Sequence, residues 1–279
     1  MTHPITIITL CVLLYQPLLL AAPKAELWPV WLTSAEKVTL RPDHAYWEQF
    51  LQHRVTRSSA GINLVDYAGA TSEKVGLKQY LNYLQNVPVS RLTRPQQRAF
   101  WINLYNAATV AIVLDHYPVA SIRDIDISPG LFSDGPWGNK FLTIEGLQLS
   151  LDDIEHRILR PIWKDNRLHY ALNCASIGCP NLQPRAFTAD NSEHLLESAA
   201  MEYINHPRGV RLTDGKLQVS RIYEWFHQDF GNNERGVISH LRIYAAPELR
   251  KNLDLIEDIA GYDYDWSLND QKKPTVPDR

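Results

Sequence analysis

Arg98-Ala-Phe-Trp-Ile-Asn-Leu-Tyr-Asn-Ala-Ala-Thr-Val-Ala-Ile-Val-Leu114 is too apolar around its whole circumference to be a surface helix. Thr93-Arg-Pro-Gln96 just before it has the form of a capping box, with proline in the first turn. Tyr117-Pro118 stops it near His116, because the residue before a proline is pushed out of the helical region. A helix of this kind sits at the centre of a domain and needs other elements packed around it.

Those elements are legible on either side. Trp47, Phe50, Leu51 and Val55 share one helical face, as do Leu77, Tyr80, Leu81 and Leu84. Phe141 to Ile144 and Leu147 to Ser150, joined by Glu145-Gly146, read as a tight hairpin, and Asp214-Gly215 marks a second one. Ser150-Leu-Asp-Asp153 caps a short helix that Pro161 ends, and Asp190-Asn-Ser-Glu193 caps another running to about Asn205. His169 to Cys174 is short, apolar and aromatic, the composition of a strand. Helical patterns fill much of Ile222 to Ile259. Long helices interleaved with hairpins favour an α+β class over a doubly wound sheet. The expected architecture is one domain over residues 28–269, helices packed around a small, mostly antiparallel sheet, with a flexible tail at 270–279.

The 279 residues are 45% hydrophobic, ample for a real core, and the formal charge of −3 offers no basic field for a phosphate backbone. Nucleic acid is therefore not an expected partner. Ile5 to Ala22 is an apolar run with a small-residue end, the pattern of a secretory signal peptide, although no lysine or arginine precedes it. A retained membrane anchor is the competing reading; the short span and the Gln16-Pro17 interruption count against it, since spanning takes about 20 apolar residues. The expectation is cleavage near residue 22 and a periplasmic or secreted protein. Removal of that segment takes Cys11 with it and leaves Cys174 and Cys179.

Chemistry concentrates in His169-Tyr-Ala-Leu-Asn-Cys174-Ala-Ser-Ile-Gly-Cys179-Pro180. Three readings fit the two thiols. They form a disulfide across a tight bend at Gly178, favoured by an oxidising compartment. Or Cys174 is a nucleophile, which requires a lowered thiol pKa. Or Cys174 and Cys179 bind a metal with His156, His169 or both, although this spacing is a poor zinc signature. If residues 169–174 were a strand, His169 and Cys174 would face opposite ways, roughly 16 Å apart at about 3.3 Å per residue, and Cys174 would need a histidine from elsewhere.

Other candidates lie nearby in the chain. Glu155 has apolar neighbours at Leu151, Ile158 and Leu159 and faces inward, so it needs a cation, a hydrogen-bond donor or a raised pKa. An arginine pair satisfies it structurally; orienting a histidine gives it a catalytic use. His156, among Asp152, Asp153 and Arg160, reads as a boundary residue. Asn103 and Asn106 fall on one side of the buried helix, where an unpaired amide costs about 1–3 kcal/mol. Either they tie loops to the helix, or one of them orients an imidazole or a substrate amide. Trp137, in Gly135-Pro-Trp-Gly138, stands on a loop where it can line a pocket. No phosphate-binding loop, nucleophile elbow or paired-histidine zinc motif occurs, and no cofactor is called for.

These segments together resemble the domain-of-unknown-function family numbered 547. The residues that carry the resemblance are Ala99 to Ala107, Leu151 to Arg160, His169 to Cys174 with Cys179-Pro180, Tyr223-Glu-Trp-Phe226 with Asp229-Phe230, and Tyr264-Asp-Trp-Ser-Leu-Asn269. The resemblance spans residues 45–269 in order and implies one domain without assigning an activity. It also implies cysteines at 174 and 179 in members that lack export signals, which counts against a purely structural disulfide and toward a site of Cys174, His169 or His156, and Glu155. Two functions stay open. One is an exported hydrolase or acyltransferase acting on amide or peptide bonds, with Asn173 as an alternative to Glu155 in orienting the histidine. The other is a non-catalytic periplasmic binding or assembly module, braced by a Cys174–Cys179 disulfide and meeting its partner near Trp137.

Overall fold

The computed structural model describes residues 23–130 and 134–272. The expected export segment lies outside them, as does the tail beyond residue 272. Helix α1 (Ala45–Arg54) runs into a short hairpin, β1 (Val55–Arg57) with β2 (Asn63–Val65). Helix α2 (Lys74–Gln85) buries Leu77, Tyr80, Leu81 and Leu84 on one face, as their spacing requires. Helix α3 (Arg94–His116) follows, buried without a break from Gln96 to Leu114. Gln96 Oε1 accepts from the Thr93 backbone N–H at 3.0 Å, so the capping box forms. Strands β3 (Leu142–Ile144) and β4 (Leu147–Leu149) make the next hairpin, and both Glu145 and Gly146 have positive φ, as its tight turn demands.

Residues 151–163 form a continuous helix whose middle, Asp153–Leu159, is wound as a π-helix. Helix α4 (Ser192–Ile204) leads to β5 (Val210–Thr213) and β6 (Lys216–Ser220), joined through Asp214 and Gly215, again both at positive φ. After helix α5 (Glu234–Tyr244), strand β7 (Gly261–Asp263) returns parallel to β6. The class is α+β, as expected. Among the described residues three small sheets replace the single one anticipated, and the β6–β7 pair is the parallel exception among antiparallel hairpins. Among the described residues no helix is long and apolar enough to cross a membrane.

Two apolar clusters form the interior. The larger surrounds α3; the smaller is built from α4, β5, β6 and α5. The segment at 168–172 sits on their seam: Leu168, Ala171 and Leu172 belong to the first, Tyr170 to the second. That segment is not a strand. Leu168–Ala171 is a single helical turn, and Leu172, which follows it, is extended. A short apolar run does not by itself distinguish strand from buried helix, and here tertiary packing on two sides selects the turn.

Candidate functional site

Asn106, on α3, fixes the start of the thiol loop. Its Nδ2 donates to Ala171 O at 2.9 Å and its Oδ1 accepts from the Asn173 N–H at 2.8 Å. Asn173 then closes the loop on itself: Nδ2 donates to Pro180 O (3.0 Å) and Oδ1 accepts from the Ala175 N–H (2.9 Å). Ala175 is held at φ +57°, a left-handed conformation that costs a non-glycine residue about 1–2 kcal/mol. Such strain persists only where the surroundings impose it, and it recurs at functional sites. Ala175, rather than Gly178, makes the bend.

Gly178 has a different task. A Cβ there would lie 2.8 Å from Asp265 N and 3.0 Å from Asp265 O, so only glycine lets residues 264–266 approach. Ile177 and Gly178 donate to Ser267 O and Asp265 O, both at 2.8 Å, and Asn269 donates back to Ala175 O. This zipper brings Tyr264, immediately after β7, onto the thiol. Tyr264 Oη is 2.9 Å from Cys174 Sγ and 2.9 Å from Ser176 Oγ.

Cys174 and Cys179 are both free thiols, their sulfurs in hydrogen-bond contact at 2.9 Å, and the Cys179 S–H also reaches Leu172 O at 3.6 Å. Cys174 is half-buried, whereas Cys179 is 3% exposed. Cys174 Sγ has three hydrogen-bonding neighbours, Cys179, Tyr264 and Ser176, the last at 3.5 Å. The Cys179 hydrogen bond, helped by Ser176 and Tyr264, lowers the Cys174 pKa against the opposing pull of burial and the Glu155 charge. Burial, then the bond and charge of Cys174, push the Cys179 thiol well up, so it stays protonated. Burial and the two cysteines push the Tyr264 phenol up in the same way.

No histidine ring hydrogen-bonds Cys174 Sγ among the described residues. His169 Nε2 bonds Asp229 Oδ2 at 2.7 Å, its Nδ1 is 3.7 Å from Glu155 Oε1, and its ring stacks on Phe226 at 4.2 Å. His156 is buried, not at a boundary; its Nδ1 lies 3.0 Å from Arg160 Nη1 and 4.0 Å from Glu155 Oε1, its Nε2 3.5 Å from Asp152 Oδ1. The expected imidazole–thiol pair is therefore not formed.

Glu155 faces inward as its neighbours predict. No arginine lies within ion-pair distance of it among the described residues; two imidazoles flank it and Tyr105 Oη donates to it at 3.2 Å. Arg160 instead pairs with Asp229 at 2.6 Å. Burial opposes ionisation of Asp229, but hydrogen bonds from His169 and Arg160, and their charges, hold its carboxyl well below the ordinary range. The carboxylate cluster and the thiols meet at Tyr105, whose phenol is pushed up by burial and then by Glu155, Cys174, Asp152 and Cys179. Both Glu155 and His156 stand on the π-helical segment, a winding that is rare and frequent at functional sites.

Asn103 bonds both sides of Phe187, donating to its carbonyl (2.7 Å) and accepting from its N–H (2.9 Å), so it ties a loop to α3. Trp137 packs on Trp266 at 5.8 Å, and Trp266 on Tyr264 (4.7 Å) and Trp225 (5.5 Å). All four rings are partly exposed and make an aromatic wall that begins at the thiol. The four weighed metal ligands do not converge: among the described residues no group of three or more histidine, cysteine or carboxylate side chains is placed to hold an ion.

Tyr264, Ser176, Trp225 and Trp266 are the contributors that pattern reasoning did not assign. Tyr262-Asp-Tyr-Asp-Trp-Ser-Leu-Asn269 alternates apolar and polar residues, the period of a half-buried strand, and that alternation was the available clue.

The model of one family, described as "Protein of unknown function, DUF547", matches residues 89–204. The stretch contains Glu155, His156, His169, Cys174 and Cys179, while the segments at 223–230 and 264–269 lie outside it. No curated protein and no solved structure matches the chain.

Proposed function

Taking as premise that residues 89–204 belong to the DUF547 family, we propose that the chain is a thiol-dependent enzyme, a hydrolase or acyltransferase attacking amide or peptide carbonyls through Cys174. The observation that carries this reading is one partly exposed sulfur with three hydrogen-bonding neighbours, of which Cys179 and Tyr264 are held protonated. Such contacts favour the thiolate form without an imidazole beside it. In the reaction Cys174 Sγ bonds to the carbonyl carbon, the carbon–nitrogen bond breaks, and the amine leaves with a proton. Tyr264 Oη, 2.9 Å from the sulfur, supplies that proton and recovers it from the water or amine that takes the acyl group. Water or a second amine then takes the acyl group from sulfur. His156 and His169 hold Glu155 rather than the thiol, and Asn106 and Asn173 position the loop. The aromatic wall from Trp137 to Tyr264 receives the substrate. The apolar run from Ile5 to Ala22 supports a periplasmic or secreted location for this chemistry.

A second reading, a non-catalytic binding or assembly module, is favoured by the same aromatic wall and by sulfurs close enough to bridge. p-Nitrophenyl acetate separates the two. Enzyme chemistry predicts a burst of nitrophenol and a transient acetyl group mapped to Cys174, both lost in Cys174→Ser. Absence of any Cys174 thioester in the fully reduced protein contradicts it and leaves the binding module.

A further inference from the structure

We propose that Cys174 and Cys179 form a redox-active dithiol that reduces disulfides, Cys174 attacking and Cys179 resolving. This goes beyond acyl transfer but rests on the same Cys174 nucleophile. Three observations carry it.

The sulfurs touch, 2.9 Å apart, and differ in access: Cys174 is reachable and Cys179 is 3% exposed. An incoming disulfide can meet only the first, and only the second is placed to attack the mixed disulfide that results. The Cys174 backbone N–H also points at Cys179 Sγ, at 3.0 Å, where it stabilises negative charge as the resolving thiol ionises.

The surroundings of Cys174 suit a sulfur electrophile. An amide nitrogen must be protonated as it leaves, and no imidazole is at hand. A departing thiolate needs no such help, because a thiol ionises near pH 8.5. Hydrogen-bonding neighbours that favour the thiolate at one sulfur, with a second thiol in contact with it, are what exchange requires.

The aromatic wall gives the substrate a place to lie. Trp225 packs on Tyr264 at 4.9 Å, and Tyr264 touches the attacking sulfur. A peptide or small molecule carrying a disulfide can rest its apolar body there with the sulfur–sulfur bond over Cys174.

The steps balance. Cys174 thiolate attacks one sulfur of the substrate, a mixed disulfide forms, and the other sulfur leaves as thiolate and takes the Cys179 proton. Cys179 thiolate then attacks Cys174 Sγ, the 174–179 bond forms, and the second substrate sulfur leaves as thiolate. Two electrons pass from the dithiol to the substrate disulfide.

The test uses the reduced full chain carrying Cys11→Ser, mixed with oxidised glutathione, acid-quenched over time and peptide-mapped. The expected course is a transient glutathione adduct on Cys174, then a 174–179 bridge with two glutathiones released per chain. Cys179→Ser should stop at the Cys174 adduct, and Cys174→Ser should react at least tenfold more slowly. Circular dichroism confirms that both variants are folded, and the early wild-type time points decide the order of attack without them. A persistent adduct on wild-type Cys174, or first attack at Cys179, overturns the proposal. Acetylation of Cys174 by the nitrophenyl ester without bridge formation removes this inference alone. Bridge formation without acetylation removes acyl transfer alone.

Discussion

At the scale of single residues, the reactivity of Cys174 is set by what donates to it. A hydrogen bond to a charged group contributes about 1.5–3 kcal/mol, and one pKa unit is 1.36 kcal/mol. Tyr264→Phe removes one of three such contacts. It should raise the apparent Cys174 pKa by about one to two units, read from iodoacetamide rates across pH; an unchanged profile would show that the phenol does not stabilise the thiolate. Asp229 tests the neighbouring cluster. Its depressed pKa contributes stability in full above the ordinary aspartate value, and that contribution is lost as pH falls through the folded value. Asp229→Asn leaves Arg160, whose side chain is 4% exposed, without its carboxylate, at a cost of about 3–5 kcal/mol near pH 7. Urea titrations should show the gap between variant and parent narrowing as the solution is made strongly acidic; a gap that ignores pH would deny the ion pair its role.

At the scale of elements, two asparagines three residues apart on α3 do separable work. Asn103→Ala and Asn106→Ala should each cost about 1–3 kcal/mol, because each leaves a buried backbone N–H and carbonyl unpaired. Only Asn106→Ala should also slow Cys174 alkylation, since only Asn106 holds the thiol loop; equal effects on the thiol would contradict that division. Gly178→Ala should cost about 1–3 kcal/mol by forcing apart the 178–265 contact, and should displace Tyr264. Local chemistry made much of this scale legible beforehand. Glu145-Gly146 and Asp214-Gly215 dictate their turns, Thr93 to Gln96 caps α3, and the inward face of Glu155 follows from its neighbours. The turn at 168–171 was not legible, because its apolar run has no period and the packing that shapes it comes from both clusters. Nor was Tyr264, which lies 90 residues from Cys174 in the chain and is delivered by a parallel strand pairing.

At the scale of the whole molecule, the thiol loop lies on the seam between two apolar clusters, a usual place for a site. His240 reports on the smaller cluster. Burial, aided by the charge on His169 and opposed by that of Asp165, holds its pKa down to about 4, and it bonds Tyr170 Oη at 2.7 Å. Between pH 6.5 and about 4 the unfolded chain takes up a proton that the folded chain refuses, so stability falls as pH falls through that window. His240→Phe should flatten that slope in urea denaturation curves; an unaltered slope would place the acid sensitivity elsewhere. The same seam leaves Cys174 partly open while sealing Cys179, and that asymmetry is the centre of the functional account. It is tested most directly by limited alkylation of the fully reduced wild-type chain with iodoacetamide across pH, with each cysteine followed by peptide mapping. Cys174 should react first and alone, with an apparent pKa below that of an ordinary thiol, while Cys179 stays unmodified until the chain unfolds. Equal labelling of the two sulfurs, or a Cys174 that ionises no earlier than a free thiol, would contradict it.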